Sequence, residues 1–213
     1  MGKPRSPQGR ARSVHERLKA EYEAVCELNH ESPFELLVAT ILSAQCTDVR
    51  VNKTTPAVFD RYPDSLALAH AHPGELEELV HATGFYKSKA RNLVKMANQL
   101  LEDHEGEVPT DLVDLVKLGG VGRKTANVIR SVAFGLPGLP VDTHVGRLAR
   151  RLGITEEEDP VKVEMILNPM IPQHERGEFS LRVILHGRQV CFARSPHCAD
   201  CVLNDFCPSA FDF

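Results

Sequence analysis

No segment of this sequence stays apolar for the length that crosses a bilayer, and no secretory leader opens it. The chain is therefore expected to be soluble and intracellular, with no membrane partner. No stretch alternates apolar and polar residues for long, as a sheet strand would, and no internal repeat is visible, so the expected fold class is all-α. A Gly-x-x-x-x-Gly-Lys-Ser/Thr pattern is missing, and no strand precedes the glycine-rich loop, which excludes a Walker-type nucleotide site. An overall basic charge is missing too. The formal net charge of -4 argues against a uniformly basic nucleic-acid binder. Six cysteines, four of them clustered, do not read as a disulfide framework; they fit a metal site in a reducing compartment better.

What is present is a chain of 213 residues, 42% hydrophobic, enough for a real core in one or two small domains. Its charge is unevenly spread. Residues 110–151 hold Lys117, Arg123, Lys124, Arg130, Arg147, Arg150 and Arg151 against Asp111, Asp114 and Asp142. Residues 155–178 reverse the balance, with Glu156, Glu157, Glu158, Asp159, Glu164, Glu175 and Glu178 against Lys162 and Arg176. A basic face beside an acidic region is compatible with DNA binding, because only the facing field must be positive. Residues 1–12 carry Lys3, Arg5, Arg10 and Arg12, with no acid, and read as a disordered basic arm.

Helix starts are marked along the chain. Ser13-Val14-His15-Glu16 reads as a capping box opening a helix to about Leu28, with Val14, Leu18, Tyr22 and Val25 on one face. Ser32-Pro33-Phe34-Glu35 is a second box, opening an apolar helix through Leu42. Thr47-Asp48 caps the next, which Pro56 should kink or restart. A short helix is expected after Tyr62-Pro63-Asp64, another over about 73–82, and a longer one over 87–103 with Ala90, Leu93, Val94, Ala97, Leu100 and Leu101 inward. Thr110, Asp142 and Asp159-Pro160 are expected to start later helices, and a last one should reach about Val190. The Gly/Pro-rich link from Gly135 to Pro140 marks a domain crossing.

Two sparse signals stand out. In Leu118-Gly119-Gly120-Val121-Gly122-Arg123-Lys124-Thr125-Ala126, three glycines within four positions separate two segments of helical periodicity. A helix start after such a turn offers unpaired N–H groups and a partial positive charge to one phosphate. Arg123 and Lys124 in that first turn are unfavourable for the helix itself; they are either solvated cations or phosphate ligands, or Lys124 is something more reactive. The second signal is Cys191, Cys198, Cys201 and Cys207, spaced Cys-x6-Cys-x2-Cys-x5-Cys. Four thiolates serve zinc or an iron–sulfur centre equally well, so count alone leaves both open. Cys26 and Cys46 remain as core thiols.

Together these signals resemble the endonuclease III-like helix-hairpin-helix DNA glycosylases with a C-terminal iron–sulfur loop. The resemblance runs from about Ser32 to Cys207, through Ser43-Ala44-Gln45-Cys46-Thr47-Asp48, the hairpin, Val141-Asp142-Thr143-His144 and Leu185-His186-Gly187-Arg188. It implies a two-domain fold: a six-helix barrel domain carrying the hairpin over 27–136, and an iron–sulfur cluster domain from 1–26 with 137–213. It implies a four-iron, four-sulfur (4Fe–4S) cluster on Cys191, Cys198, Cys201 and Cys207, shaping the loop from Phe192 to Asn204, where Arg194 is the one firm cation before Cys198.

The resemblance also assigns roles. A lysine is a nucleophile only when neutral, a form favoured by burial and by the positive end of a helix. Lys124 matches the family lysine that attacks C1′ of a damaged nucleotide, forms a Schiff base and nicks the strand by β-elimination. Asp142 reads locally as an N-cap, and by resemblance as the aspartate acting as general base and stabilising the oxocarbenium-like sugar. Gln45 and Phe85 match the residues that fill the hole left by an extruded base. DNA contacts are implied for Gly120, Gly122, Arg123, Thr143, His144, Arg147 and Arg194, and Asp48 and Lys117 flank the pocket by the same mapping. Lys117 stands where some relatives have a carboxylate, and Gly119 replaces the usual hairpin proline. The expected activity is a bifunctional glycosylase and AP lyase acting, as a monomer in the cytoplasm at the nucleoid, on double-stranded DNA with oxidised pyrimidines or abasic sites. Two alternatives are a monofunctional adenine glycosylase, disfavoured by Lys124 and by the lack of a further C-terminal domain, and a non-catalytic DNA-binding module.

Overall fold

Short polar side chains start most of the helices, as each first turn leaves backbone N–H groups that need an acceptor. In the computed structural model, which describes residues 4–213, all regular structure among the described residues is helical and no strand occurs. The helices are α1 (Pro7–Glu21), α2 (Pro33–Leu42), α3 (Asp48–Arg61), α4 (Ser65–Ala69), α5 (Pro73–Val80), α6 (Tyr86–Asp103), α7 (Leu112–Leu115), α8 (Arg123–Val128), α9 (Thr143–Arg151), α10 (Pro160–Leu167) and α11 (Arg176–Gln189). Ser32, Thr47, Asp64, Asp142 and Asp159 each accept from a backbone N–H at their helix starts. Of the kink or restart expected at Pro56, the restart does not occur: α3 runs through Pro56 as one element.

The N-terminal expectation needs correction. Ser6, not Ser13, is the cap: its Oγ accepts from Gly9 N at 3.1 Å, and Pro7 stands at the first helical position, where a missing N–H costs nothing. Pro7–Arg12 are therefore helical rather than a disordered arm, with Ala11 fully buried and Arg10 donating to Leu152 O. The rest of that arm, residues 1–3, lies outside the described residues. The helix ends at Glu21, where Tyr22 turns extended and its carbonyl accepts from Arg182 Nε, so Val25 is exposed rather than inward. The first hairpin helix is capped by Asp111, whose carboxylate accepts from Val113 N, and not by Thr110.

The chain divides into two compact units, Cys26–Gly135 and Met1–Val25 with Leu136–Phe213. The first holds α2 to α8. Its core is the nearly all-apolar α2 surrounded by Val51, Val58, Leu68, Leu76, Leu93, Met96, Leu100, Leu115 and Ile129. The α6 helix packs with α4 and α5. Its inward face holds Lys89 and Met96 as well as Ala90, Leu93, Ala97 and Leu100, while Val94 and Leu101 are only half-buried. The second unit holds α1 and α9 to α11 around Val14, Leu18, Leu139, Val145, Leu148, Leu167, Phe179 and Val183.

Candidate active site

In the first unit, α7 and α8 form the hairpin, joined by a turn that the core fastens at Leu118 and Val121, both buried. Gly120 has φ +77, the left-handed region, and a Cβ there would press on Asn92. At Gly119 a Cβ would stand 2.8 Å from Asn92 O, and its N–H donates to Gln99 Oε1 at 2.8 Å. The same Gln99 amide donates to Lys117 O at 3.0 Å. A proline at 119 would lose one of these bonds and meet that carbonyl, which accounts for glycine here. Lys117 itself donates to the Asp114 carboxylate at 2.8 Å on the exposed side of the turn.

The face of Gly122 is open, with nothing within 4 Å of where a Cβ would stand. Arg123 and Lys124 follow in the first turn of α8. Lys124 is exposed, which corrects the burial expected from the sequence. The fold does not desolvate its amine; a bound ligand would have to.

Two more turns of this unit carry predicted residues. Gln45, in the turn from Ser43 to Thr47, has φ 53 and an exposed side chain. Phe85 follows Gly84 (φ 70), has φ 49 itself, caps α6 without a side-chain bond and is 66% exposed. A left-handed conformation is uncommon for a bulky residue. Both side chains are exposed.

In the second unit, Asp142 Oδ1 accepts from His144 N at 2.8 Å and Val145 N at 2.9 Å, so the N-cap reading of its local role holds. Thr143 is exposed. His144 packs against Gly187, where a Cβ would lie 2.7 Å from its Nδ1; burial pushes the imidazole below its ordinary value. Arg147 is half-buried. Its Nη2 donates to His144 Nδ1, to Gly187 O at 3.0 Å and to Cys191 O at 2.8 Å, so the guanidinium ties α9 to α11 and the cysteine loop. Burial lowers its pKa.

The four cysteines line one pocket with Leu148, Arg151, His186 and Leu203, and none forms a disulfide. Among the described residues no three His, Cys, Asp or Glu crowd on a single point. Four thiols lining one pocket suit an iron–sulfur centre in which each iron takes one thiolate. Burial pushes the Cys201 thiol up to about 11 and raises Cys207, so thiolates in this apolar wall need a cationic centre to hold them.

Sequence reasoning missed two neighbours of this pocket. Arg151 Nη1 lies 3.3 Å from Cys191 Sγ and donates to Phe192 O at 2.7 Å, while its Nη2 donates to Ala193 O at 2.8 Å. His186 is buried, with Nε2 3.3 Å from Cys201 Sγ and Nδ1 bonded to Tyr22 Oη at 3.0 Å; burial pulls it down to about 4. Arg194 is exposed in the loop.

Comparison with known proteins agrees with this layout. Residues 38–173 match the HhH-GPD superfamily of base excision DNA repair proteins, and residues 191–207 match the iron–sulfur binding domain of endonuclease III. Endonuclease III of Synechocystis sp. is 50% identical over 99% of this chain and 97% of its own length. Endonuclease III of Bacillus subtilis is 46% identical over 86% of this chain and 84% of its own. The solved structure of a trapped endonuclease III–DNA covalent intermediate superposes with a TM-score of 0.91, at 42% identity, covering 95% of this chain and 96% of that one.

Proposed function

The chain belongs to the endonuclease III family within the HhH-GPD superfamily of base excision DNA repair proteins, and from that membership we propose how its own residues divide the work. It is a DNA glycosylase with AP lyase activity, its cofactor is a 4Fe–4S cluster, and the family reaction runs through a Schiff base. Our residue assignment starts at Lys124. Its exposed amine in the first turn of α8, directly after the open face of Gly122, is the observation that carries it.

Double-stranded DNA is the partner, as it is for the trapped structure that superposes on this chain. A damaged nucleotide leaves the stack, and Gln45 and Phe85 fill the hole. Asp142 takes a proton from the Lys124 ammonium. The neutral Nζ then forms a bond to C1′ as the bond from C1′ to the base breaks, and the departing base takes up a proton. That proton passes from Asp142 to the departing base, and the carboxylate so restored stabilises the positive charge that develops on the sugar. Opening of the sugar ring gives the imine; loss of a C2′ proton then breaks the C3′–O3′ bond, and the strand is nicked on the 3′ side. Water hydrolyses the imine and frees Lys124.

Gly120, Gly122, Arg123, Thr143, His144 and Arg194 contact DNA in this reading. Arg147 contributes by holding His144 and the cysteine loop. Cys191, Cys198, Cys201 and Cys207 hold the cluster, which when bound fixes the shape of the loop between them. The substrates are oxidised pyrimidines of the thymine glycol type and abasic sites, and the enzyme works as a monomer in the cytoplasm at the nucleoid. Among the described residues no helix is long and apolar enough to cross a membrane.

A steady-state comparison on duplexes carrying thymine glycol, dihydrouracil, a plain abasic site and mispaired adenine tests this. Base release from both oxidised pyrimidines and nicking at the abasic site are expected, with nicking lost in Lys124→Ala. Adenine release without nicking would overturn the assignment in favour of a monofunctional glycosylase, and absence of any release would favour a binding module.

A further inference from the structure

The first unit contains a lysine that the reaction above does not use. Lys89, in the first turn of α6, is 4% exposed, and burial lowers its pKa. Its Nζ donates to Leu42 O at 2.8 Å and to Thr83 O at 2.7 Å. Leu42 is the last residue of α2, and Thr83 is the last of a 3-10 turn over His81–Thr83. Both carbonyls are chain-end acceptors with no next helical turn to donate to them. Removing an ammonium from water costs free energy, which the two carbonyl bonds offset here.

Position makes this bond pair informative. Three residues beyond Leu42 lies Gln45; two beyond Thr83 lies Phe85. Both are left-handed non-glycine residues with exposed side chains, at φ 53 and φ 49. Ser43 Oγ donates to Thr40 O at 2.9 Å and Thr83 Oγ1 to Val80 O at 2.8 Å, so each turn is also fastened to its own helix. The bonds of the Lys89 side chain join the two turn roots. It spans 47 residues of chain to one and 6 to the other.

We propose that Lys89 is a positioning residue for base extrusion: its buried ammonium staples the roots of the Gln45 and Phe85 turns and so sets the spacing and direction of the two inserted side chains. This rests on the reading of Gln45 and Phe85 as the residues that fill the vacated stack. A purely structural lysine would support every activity of the chain equally. A staple of the two turns matters only where a base must be drawn from a duplex.

The test uses the full chain with its cluster loaded, in wild type, K89M, K89R, Q45A/F85A and Q45A/F85A/K89M, with thermal unfolding recorded for each. Single-turnover release of dihydrouracil from a duplex, with 2-aminopurine beside the lesion reporting extrusion, is compared with lyase activity on a single strand bearing one abasic site. K89M is expected to slow duplex excision and extrusion about tenfold, as small misplacements of positioning groups do. The single-stranded reaction should change by less than about twofold, K89R should recover part of the loss, and K89M should add almost nothing in the Q45A/F85A background. Equal loss on both substrates, or a full K89M effect in that background, overturns the proposal. Impaired Q45A/F85A beside unimpaired K89M overturns the staple alone. Wild-type extrusion by Q45A/F85A overturns the insertion reading and the staple with it.

Discussion

Replacing Asp142 separates two jobs that one carboxylate is assigned. Its Oδ1 accepts from His144 N and Val145 N at 2.8 and 2.9 Å, which makes it the N-cap of α9. Asparagine keeps an oxygen acceptor at the same place, so Asp142→Asn should cost no more than a few tenths of a kcal/mol. Alanine removes both bonds, and Asp142→Ala should cost about 1 kcal/mol, within a range of roughly 0.5–2. In a chain of this size that corresponds to a fall in Tm of about 2–4 °C for alanine and almost none for asparagine. Neither variant accepts a proton from an ammonium or offers negative charge to the sugar. Single-turnover base release should therefore fall about 100-fold or more in both. Thermal unfolding by circular dichroism, run beside gel-resolved base release, measures the two effects independently. If D142N excises within about threefold of wild type, Asp142 is a helix cap and no more. If D142N melts as low as D142A, the capping geometry is wrong.

Further outcomes follow from other sites. Gly119→Pro removes the N–H that Gln99 accepts and sets a Cβ 2.8 Å from Asn92 O, so it should destabilise by about 2 kcal/mol in denaturant titration; a neutral effect would contradict the packing of the turn. Glu175 bonds Lys19 and His15, which hold its carboxyl down at about 2 from an ordinary 4.5. A depressed carboxylate stabilises fully above the unfolded value and loses that contribution as pH falls through the folded one. Glu175→Gln should therefore be less stable than wild type at pH 7, with the gap closing between about pH 4.5 and 2 in urea titrations. Cys201→Ser should drop chemically assayed iron from about four per chain to a small fraction; full retention would remove Cys201 from the cluster ligands.

How much of this was legible in the sequence depends on the range of the interaction involved. The caps at Ser32, Thr47, Asp142 and Asp159 were readable because each cap and the N–H that donates to it sit within three residues. The glycine turn and the cysteine spacing were readable for the same reason. The start of α1 was misread because two local patterns competed, and only burial of Ala11 and the Arg10–Leu152 bond decide for Ser6 over Ser13. Long-range bonds were invisible. Arg147 and Arg151 counted toward a basic face, yet their guanidiniums turn onto the carbonyls of the cysteine loop. Lys89 carries no signal in the sequence, because nothing local tells of two carbonyls 47 and 6 residues away. In the opposite sense, Lys124 was expected to be buried and is exposed, since the first turn of a short helix after an open glycine has no protein on its outer side.

The central claim, that the Lys124 amine forms the covalent bond to the sugar, is tested most directly by reducing the intermediate with borohydride on an abasic duplex and mapping the adduct by mass spectrometry. The account predicts a single nucleotide-bearing peptide modified at Lys124, and no adduct in Lys124→Ala. An adduct on another amine, or undiminished trapping by that variant, would contradict it.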